Sequence, residues 1–280
     1  MTSNMSINRI LWQIVVYILL LAGSAVMLVP FFWMVSTSLK AQWQVFTIPV
    51  TWIPNPVMWE NYVTTFSKLP FGQWTLNTLK ITFFGILGTL LSCTLVAYGF
   101  ARYKAPGRNF LFIVMLSTMM LPGTVTMIPT FYLFKLFGWM NTYYPLIVPH
   151  FFGSAFFIFL LRQFFMTIPR ELEEAARIDG ASTFGILWRI MVPLTVPALI
   201  TVAIFQFNGL WNDFMGPLIY LNKPTLYTLA LGINFFKSQN DTQWNYLMAA
   251  SVVAMLPSLF FFFIGQKYFV QSITLTGLKG

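Results

Sequence analysis

The sequence predicts an all-α integral membrane protein with about six transmembrane helices, and two observations support this fold class. Of the 280 residues, 58% are hydrophobic and 8% are charged, with a mean hydropathy of +0.72, whereas an ordinary soluble domain is about 25% charged. The apolar residues also gather into segments of about 20 residues or more, the length that a membrane-spanning helix needs. The excess apolar surface is therefore expected to face lipid.

Six segments are long and apolar enough to span a bilayer. They cover about residues 10–39, 74–101, 110–134, 145–161, 193–220 and 247–265. The first follows Arg9 as a signal peptide would, but it continues to Leu39 without a charge, so we expect a retained membrane helix. The proline-rich stretch from Lys40 to Phe71 predicts an extracytoplasmic loop with short interfacial helices. No internal repeat is visible, and residues 1–280 are expected to form one domain.

The basic residues predict the orientation, because Lys and Arg are enriched in cytoplasmic loops. Six spans place both termini on one side, and the more basic side is predicted to be cytoplasmic. That side holds Arg9, Arg102, Lys104, Arg108, Arg162, Arg170, Arg177, Arg189, Lys267 and Lys279, whereas the other holds Lys40, Lys68, Lys80, Lys135, Lys223 and Lys237. The net charge of +9 thus follows membrane sidedness, and it does not form the clustered basic face that nucleic-acid binding needs.

The most polar part of the chain lies between the fourth and fifth spans, at about residues 167–192. It holds four of the seven acidic residues, namely Glu171, Glu173, Glu174 and Asp179. Arg170 with Glu174, and Glu173 with Arg177, have the i,i+4 spacing that predicts ion pairs along a helix surface. A membrane protein with few acids has little reason to crowd them into one loop unless that loop meets a partner.

Local signals predict that this loop is a helix–turn–helix on the cytoplasmic membrane surface. Thr167 and Pro169 are typical of a helix start, and Gly180 can take the left-handed conformation that ends a helix. Ser182 or Thr183 can then cap a second helix, which is expected to stop before Pro193.

The first of these helices has a face of small and apolar residues, because Leu172, Ala175 and Ala176 share one side at helical spacing. In one interpretation another protein approaches this face closely while the flanking carboxylates pair with its basic groups. In the other, the alanines pack on the chain's own helices and the charges form a solvated rim. The spacing alone leaves both open.

Three segments resemble a known family. Glu174-Ala175-Ala176, Asp179-Gly180-Ala181, Ile190 and Pro193 resemble the coupling-helix motif of permease subunits of ATP-binding-cassette importers, although Val192 stands where Leu is usual. The longer stretch from Pro169 to Pro193, Trp211-Asn212-Asp213-Phe214 before Pro217-Leu218, and Asn77-Thr78-Leu79 resemble the carbohydrate-uptake branch, which includes maltose- and glycerol-3-phosphate-type permeases. The resemblance covers nearly the whole chain.

The resemblance implies a role and a set of partners. In that family the loop inserts into a cleft on an ATP-hydrolysing subunit, which assigns ATPase coupling here to Glu174, Ala175, Ala176, Asp179 and Gly180. It also implies a second permease subunit, two ATP-binding-cassette ATPase subunits, an extracytoplasmic solute-binding protein and a location in the cytoplasmic membrane. By position alone, the binding protein would meet the loop at residues 222–244. The sugar or polyol carried, and which permease subunit binds it, stay open.

A candidate substrate pathway lies near the end of the fifth span. Asp213 is the one acid expected inside a span, where ionisable residues usually face a cavity or a partner. Asn208, Trp211 and Asn212 are spaced i, i+3 and i+4 and are expected to share a face, with a ring and amides suited to polyols. Equally, Asp213 can lie at the outer interface or form a helix–helix hydrogen bond.

The sequence shows no site for catalysis, metal or cofactor. The nearest approach to a P-loop is Gly180 and Gly185, but Ile186 follows where Lys is required, so ATP chemistry is assigned to another chain. One histidine, His150, and one cysteine, Cys93, do not make a metal site. The chain is therefore expected not to be an enzyme. The alternative, a stand-alone secondary transporter, predicts more buried ionisable residues and an inverted repeat.

Overall fold

The structure, a computed structural model, describes residues 7–237 and 242–277. Helices are the only regular structure in that part of the chain. In chain order they are α1 Ile7–Ser38, α2 Glu60–Lys68, α3 Phe71–Arg102, α4 Arg108–Ser117, α5 Gly123–Leu136, α6 Tyr144–Ile147, α7 Ala155–Thr167, α8 Glu171–Ile178, α9 Thr183–Ile186, α10 Val192–Leu194, α11 Val196–Trp211, α12 Met215–Tyr220, α13 Leu229–Ile233 and α14 Trp244–Gly277. A π-helical turn, Leu187–Met191, joins α9 to α10.

Between four and six segments of the described chain are long and apolar enough to cross a membrane. Four are single stretches, at Leu11–Ser38, Phe71–Arg102, Tyr144–Thr167 and Trp244–Gln266. Two more are bent pairs, Arg108–Met120 with Gly123–Leu136 at 98° and Thr183–Leu194 with Val196–Trp211 at 78°. An all-helical chain with this set of spans confirms the predicted fold class at that level. The chain ends, residues 1–6 and 278–280, lie outside the described residues.

Some prolines interrupt the predicted spans, whereas others lie inside continuous helices. The segment expected at 110–134 breaks before Pro122, where Leu121 is extended as residues before proline prefer. Pro30 and Pro257, by contrast, lie inside the continuous helices α1 and α14. The segment expected at 193–220 is also divided, because α11 ends at Trp211 and a separate short helix follows.

The fourth predicted segment ends later than expected. The predicted segment covers about residues 145–161, but α7 includes Arg162 and continues to Thr167. The Arg162 guanidinium lies 4.2 Å from the centre of the Phe112 ring, and Nε donates to the carbonyl of Phe100 at 3.4 Å. The charge is therefore accommodated on the side of the helix and does not end it.

Residue contacts divide the chain into two compact units, and the first comprises residues 1–69 and 233–254. Its long helix α1 is exposed over the apolar span. Beyond α1 the chain folds into a loop that contains the short helix α2, as the sequence predicts. Asn61 holds this loop, because its amide donates to the carbonyls of Ser38 and Lys40 at 2.8 Å each and its carbonyl accepts from Asn245 at 3.1 Å.

The second unit comprises residues 70–232 and 255–280, and α3 is its central helix. Helices α7 and α11 and the 3-10 turn Val148–Phe152 pack against α3. Glycine permits this close approach, since a Cβ atom at Gly88 would lie 2.6 Å from the Phe151 ring. Small and apolar side chains fill the core between these helices, among them Cys93, Ala97, Leu161, Phe165, Ala198 and Val202. The expectation that residues 1–280 form one domain stays a prediction.

Candidate functional site

The candidate site is the polar hairpin, residues 167–194, which belongs to the second unit. Gly180 ends α8 with φ of +80°, and the Ser182 hydroxyl accepts from the backbone N–H of Gly185 at 3.2 Å, so the predicted turn and cap are confirmed. The predicted helix start at Thr167 is wrong. Thr167 is the last residue of α7, its hydroxyl donates back to the carbonyl of Phe164, and α8 begins at Glu171.

The second arm of the hairpin also differs from expectation, because it does not stop before Pro193. It continues through Pro193 to Leu194 and breaks at Thr195. A proline inside an α-helix lacks one hydrogen-bond donor and clashes with the preceding turn. Here the π-helical turn Leu187–Met191 comes just before it, and Pro193 stands in the first turn of α10, where a residue without an N–H is tolerated.

One face of α8 packs inward, and Glu173 is its most informative residue. Glu173 Oε1 lies 2.5 Å from Arg102 Nε at the end of α3, and Oε2 accepts from the Tyr98 hydroxyl at 3.2 Å. Glu173 therefore pairs with Arg102, so the ion pair expected with Arg177 is wrong. Both charged side chains are nearly buried, at 5% and 6% exposure. A buried carboxylate needs such partners, because burying it alone is costly.

The other face of α8 points away from the unit and mixes carboxylates with bare apolar side chains. Glu171, Glu174, Ala175 and Ile178 have the i, i+3, i+4, i+7 spacing of one helix face, and all are exposed. Ile178 is 87% exposed. Phe184, just beyond the turn, is 64% exposed. Large apolar residues exposed in a polar segment are typical of a protein interaction surface.

The alanines of the predicted face are divided between the two sides. Ala176 is buried in the core with Ile186 and Leu187, whereas Ala175 is exposed. Ala176 thus packs on the chain's own core, as the second interpretation expects, whereas contact of Ala175 with another protein stays a prediction. The sequence spacing shows that these residues are neighbours, but it does not show where the inner face ends.

The turn of the hairpin borders a groove of about 610 Å³. Its lining includes Gly180, Phe184, Trp188 and Arg189. Glu174, Ala175, Asp179 and Gly180 are exposed beside it, with Ala176 behind them. The structure thus brings the predicted coupling residues together on one turn of chain.

The predicted substrate residues are arranged differently. The Trp211 side chain turns into the core, where its ring stacks on Phe207 with centroids 5.4 Å apart. The Asn208 amide bonds within its own helix, to the carbonyl of Ile204, and the Asn212 amide donates to the carbonyl of Asn208 at 2.9 Å. Asn212 is exposed, whereas Asn208 is half-buried.

The Asp213 carboxylate accepts a local hydrogen bond at the start of a helix, a role other than those that the sequence predicts. It lies just beyond α11, and its Oδ1 accepts from the backbone N–H of Gly216 at 3.1 Å, in the first turn of α12. Aspartate commonly caps helices in this way. The carboxylate therefore has a local partner, and its part in a pathway stays a prediction.

Several residues of the site were missed by sequence reasoning. Tyr98 and Arg102 lie far from Glu173 in the chain, so no local spacing signals their contact. Ile178 and Phe184 are apolar residues whose exposure becomes evident only in the folded structure. His150 is half-buried, and its Nδ1 bonds the Gln206 side-chain amide at 3.0 Å, a contact between distant positions that local spacing does not signal. Among the described residues no group of His, Cys, Asp or Glu is arranged to hold a metal.

Comparison with known proteins identifies the family. Residues 86–275 match the model for the binding-protein-dependent transport system inner membrane component. The chain is 35% identical over 228 residues to the arabinooligosaccharides transport system permease protein AraQ of Bacillus subtilis, covering 81% of each chain. It is 31% identical over 274 residues to the sn-glycerol-3-phosphate transport system permease protein UgpE of Yersinia enterocolitica, covering 95% of this chain and 97% of that one.

A solved structure shares the fold. It is a crystal structure of a bacterial ABC transporter involved in the import of the acidic polysaccharide alginate. One chain of it matches with a TM-score of 0.84 and 24% identity, covering 96% of this chain and all of that one.

Proposed function

This chain belongs to the family of binding-protein-dependent transport system inner membrane components, and we propose that it couples solute passage to ATP hydrolysis through its polar hairpin. It is a multi-pass membrane permease subunit of such a transport system. The observation that supports the coupling role is the outer side of the hairpin, where Ile178, one helical turn beyond Glu174, and Phe184 are exposed.

The hairpin lies on the cytoplasmic side, together with both termini. The distribution of basic residues supports this orientation. The short loops on the same side as the hairpin are the ones rich in Lys and Arg, as cytoplasmic loops usually are. Arg102 and Arg108 flank the loop between α3 and α4 on this same face. The segment at residues 222–232, at the opposite end of α3, then lies outside the cell.

ATP hydrolysis occurs on separate subunits that dock on the hairpin. Glu174, Ala175, Ala176, Asp179 and Gly180 form or support the contact. The exposed apolar residues exclude water from the contact, and Glu174 and Asp179 pair with basic groups at its rim. The left-handed Gly180 keeps the turn narrow. This chain needs no nucleotide site, metal or cofactor of its own for this role.

The full importer contains a second permease subunit, two ATP-binding-cassette ATPase subunits and an extracytoplasmic solute-binding protein. ATP-driven movement of the ATPases pushes on the hairpin, and the helices then open the pathway alternately to the two sides. Differential contacts in the two states supply the required coupling.

The cargo is a carbohydrate or a polyol derivative. The relatives named for arabino-oligosaccharides and for sn-glycerol-3-phosphate support this class. Asn208 and Asn212 are the pathway residues most suited to hydroxyl groups, because each amide is both a donor and an acceptor. Trp211 and Asp213 stabilise the same segment. The Trp211 ring stacks on Phe207 in the core, and the Asp213 carboxylate accepts from the backbone N–H of Gly216.

Co-purification from native membranes tests this function. The tagged chain, solubilised mildly, is expected to retain an ATPase, and Ile178→Asp is expected to lose it while the second permease subunit is retained. Glu171→Gln, on the same exposed face, is the matched control. A chain that purifies without any ATPase and still transports solute along an ion gradient would contradict the proposal and favour the stand-alone secondary transporter.

A further inference from the structure

We propose that α3 is a rigid link that carries movement between the polar hairpin and the outer segment, residues 222–232. This inference rests on the proposed function, because it takes the hairpin as the ATPase contact and the outer segment as part of the loop facing the binding protein. It adds the residues that fasten α3 at each end. They are Tyr98, Arg102 and Glu173 at the hairpin, and Trp74, Asn77 and Thr78 at the outer segment.

The contacts at the hairpin end form the hairpin clamp. Arg102, the last residue of α3, pairs with Glu173 at 2.5 Å and donates from Nη2 to the carbonyl of Ile168 at 2.7 Å. Tyr98, one turn earlier, donates to the other oxygen of the same carboxylate. An ion pair at a surface contributes little, because water and salt screen it. This pair is buried, so separating its partners would leave an uncompensated charge out of water, and we expect α8 and the end of α3 to move together.

The contacts at the other end form the loop clamp. The Trp74 indole donates to one carbonyl of the outer segment at 2.9 Å, and the Asn77 amide donates to two more at 3.0 Å each. The Thr78 hydroxyl accepts from the backbone N–H of Leu229 at 2.8 Å. The segment also lies against the indole, since a Cβ atom at Gly232 would be 2.1 Å from a Trp74 ring atom.

The helix between the clamps is suited to transmit movement. It runs for 32 residues without a proline, a length of roughly 48 Å at the α-helical rise, which exceeds the bilayer core of about 30 Å. The bent pairs, α4 with α5 and α10 with α11, break near Pro122 and Thr195. Compared with these two bent pairs, α3 is a continuous helix from end to end.

Displacement of the hairpin therefore moves the outer segment, and seating of the binding protein on the outer segment moves the hairpin. This coupling is reciprocal, as linkage between two binding sites requires. The clamp residues are positioning residues, because they contact neither the solute nor nucleotide.

A cysteine reporter in the outer segment tests the link in the complete transporter. Lys223 is exposed, and the one native cysteine of this chain, Cys93, is buried, so within this chain a charged maleimide labels Lys223→Cys selectively. Labelling of this chain is measured after it is separated from the other subunits. The labelling rate is measured in the reconstituted complex with and without ATP and vanadate. We expect ATP to change the rate about fivefold or more, in the usual range of coupling between sites.

Breaking either clamp is expected to reduce that ATP response to less than about twofold. Glu173→Gln breaks the hairpin clamp, and Thr78→Val removes the acceptor of the loop clamp. Two matched controls are expected to keep the response. Glu171→Gln changes an exposed carboxylate of the same helix, and Thr75→Val removes a hydroxyl that bonds only within α3, to Phe71.

The exchanged pair Arg102→Glu with Glu173→Arg is expected to recover at least about half of the response. If Glu173→Gln fails to assemble, Thr78→Val and the exchanged pair still decide the question. Assembled clamp variants that keep the full ATP response would overturn the link while leaving the proposed function intact. A reporter that ignores ATP in the unsubstituted complex would overturn the link, and the absence of an ATPase from that complex would overturn the proposed function as well.

Discussion

The polar hairpin and the segment at residues 206–213 both gather polar residues beside an apolar span, but they use them in opposite ways. In the hairpin one carboxylate, Glu173, forms an internal ion pair on the inner face of α8, whereas the outer face, which includes Ile178, is exposed. In the second segment Asn208 and Asp213 bond locally, Gln206 bonds His150, Asn212 bonds both Asn208 and Ser258, and Trp211 is buried. The exposed apolar side chains make the first segment a candidate contact surface. Internal hydrogen bonds give the second segment an architectural role, and its pathway role stays a prediction.

The largest expected effect is loss of coupling at the hairpin turn. Gly180→Asp places a side chain on a residue with φ of +80° and adds charge at the contact, and Glu174→Lys reverses a rim charge. Each is expected to reduce solute uptake at least about tenfold while the chain still inserts. Uptake and ATP hydrolysis are measured on the same vesicles. Normal uptake in both variants would show that the hairpin does not couple ATP hydrolysis to transport.

The second effect is a weaker ATPase contact. Ile178→Asp replaces an exposed apolar side chain with a charge, and the desolvation cost on docking is expected to weaken retention of the ATPase by about tenfold or more. Ile178→Leu is expected to retain it, because size and polarity are nearly kept. Equal retention in both variants would show that the exposed isoleucine is an incidental surface residue.

The third effect separates structure from pathway at Trp211. Trp211→Ala removes a buried, stacked ring and is expected to cost about 3–5 kcal/mol of stability, measured as thermal unfolding of the purified complex. Asn212→Ala, next to it and exposed, is expected to change stability by under about 1 kcal/mol. A raised KM for uptake in Asn212→Ala at unchanged stability would support a pathway role for this segment. A stable Trp211→Ala variant would contradict its place in the core.

The smallest effect concerns the cap at Asp213. Asp213→Ala removes the acceptor for the Gly216 N–H and is expected to cost about 1 kcal/mol, whereas Asp213→Asn keeps an acceptor and is expected to cost less. Thermal unfolding of the two variants measures the difference. If Asp213→Asn abolishes uptake at unchanged stability, the negative charge itself takes part in transport and the capping role alone is insufficient.

Local signals in the sequence predicted much of this molecule. Apolar length gave the spans, and Gly180 and Ser182 gave the turn and cap of the hairpin, because these signals act within a few residues. The prediction for Pro193 was wrong because α10 begins at Val192 after a π-helical turn, which places the proline in a first helical turn, where it is tolerated.

Contacts between distant parts of the chain could not be predicted in this way. Tyr98 and Glu173 are 75 positions apart, and only packing of α8 against α3 brings them together. Spacing likewise placed Trp211 on a face with Asn208 and Asn212, but the neighbouring side chains decide that its ring is covered. The hairpin is therefore a local sequence motif, but its packing against α3 depends on contacts between residues far apart in the chain.

Site-specific crosslinking from the hairpin tests the central claim most directly. Ile178→Cys is coupled to a photo-activated crosslinker in inverted membrane vesicles that contain the whole transport system. Ile48→Cys, which is 96% exposed in the loop predicted to lie outside, serves as the control. We predict a covalent adduct between position 178 and an ATP-binding subunit, and none from position 48. Labelling of position 178 from the cell exterior, or no ATPase adduct from a correctly inserted chain, would contradict the account.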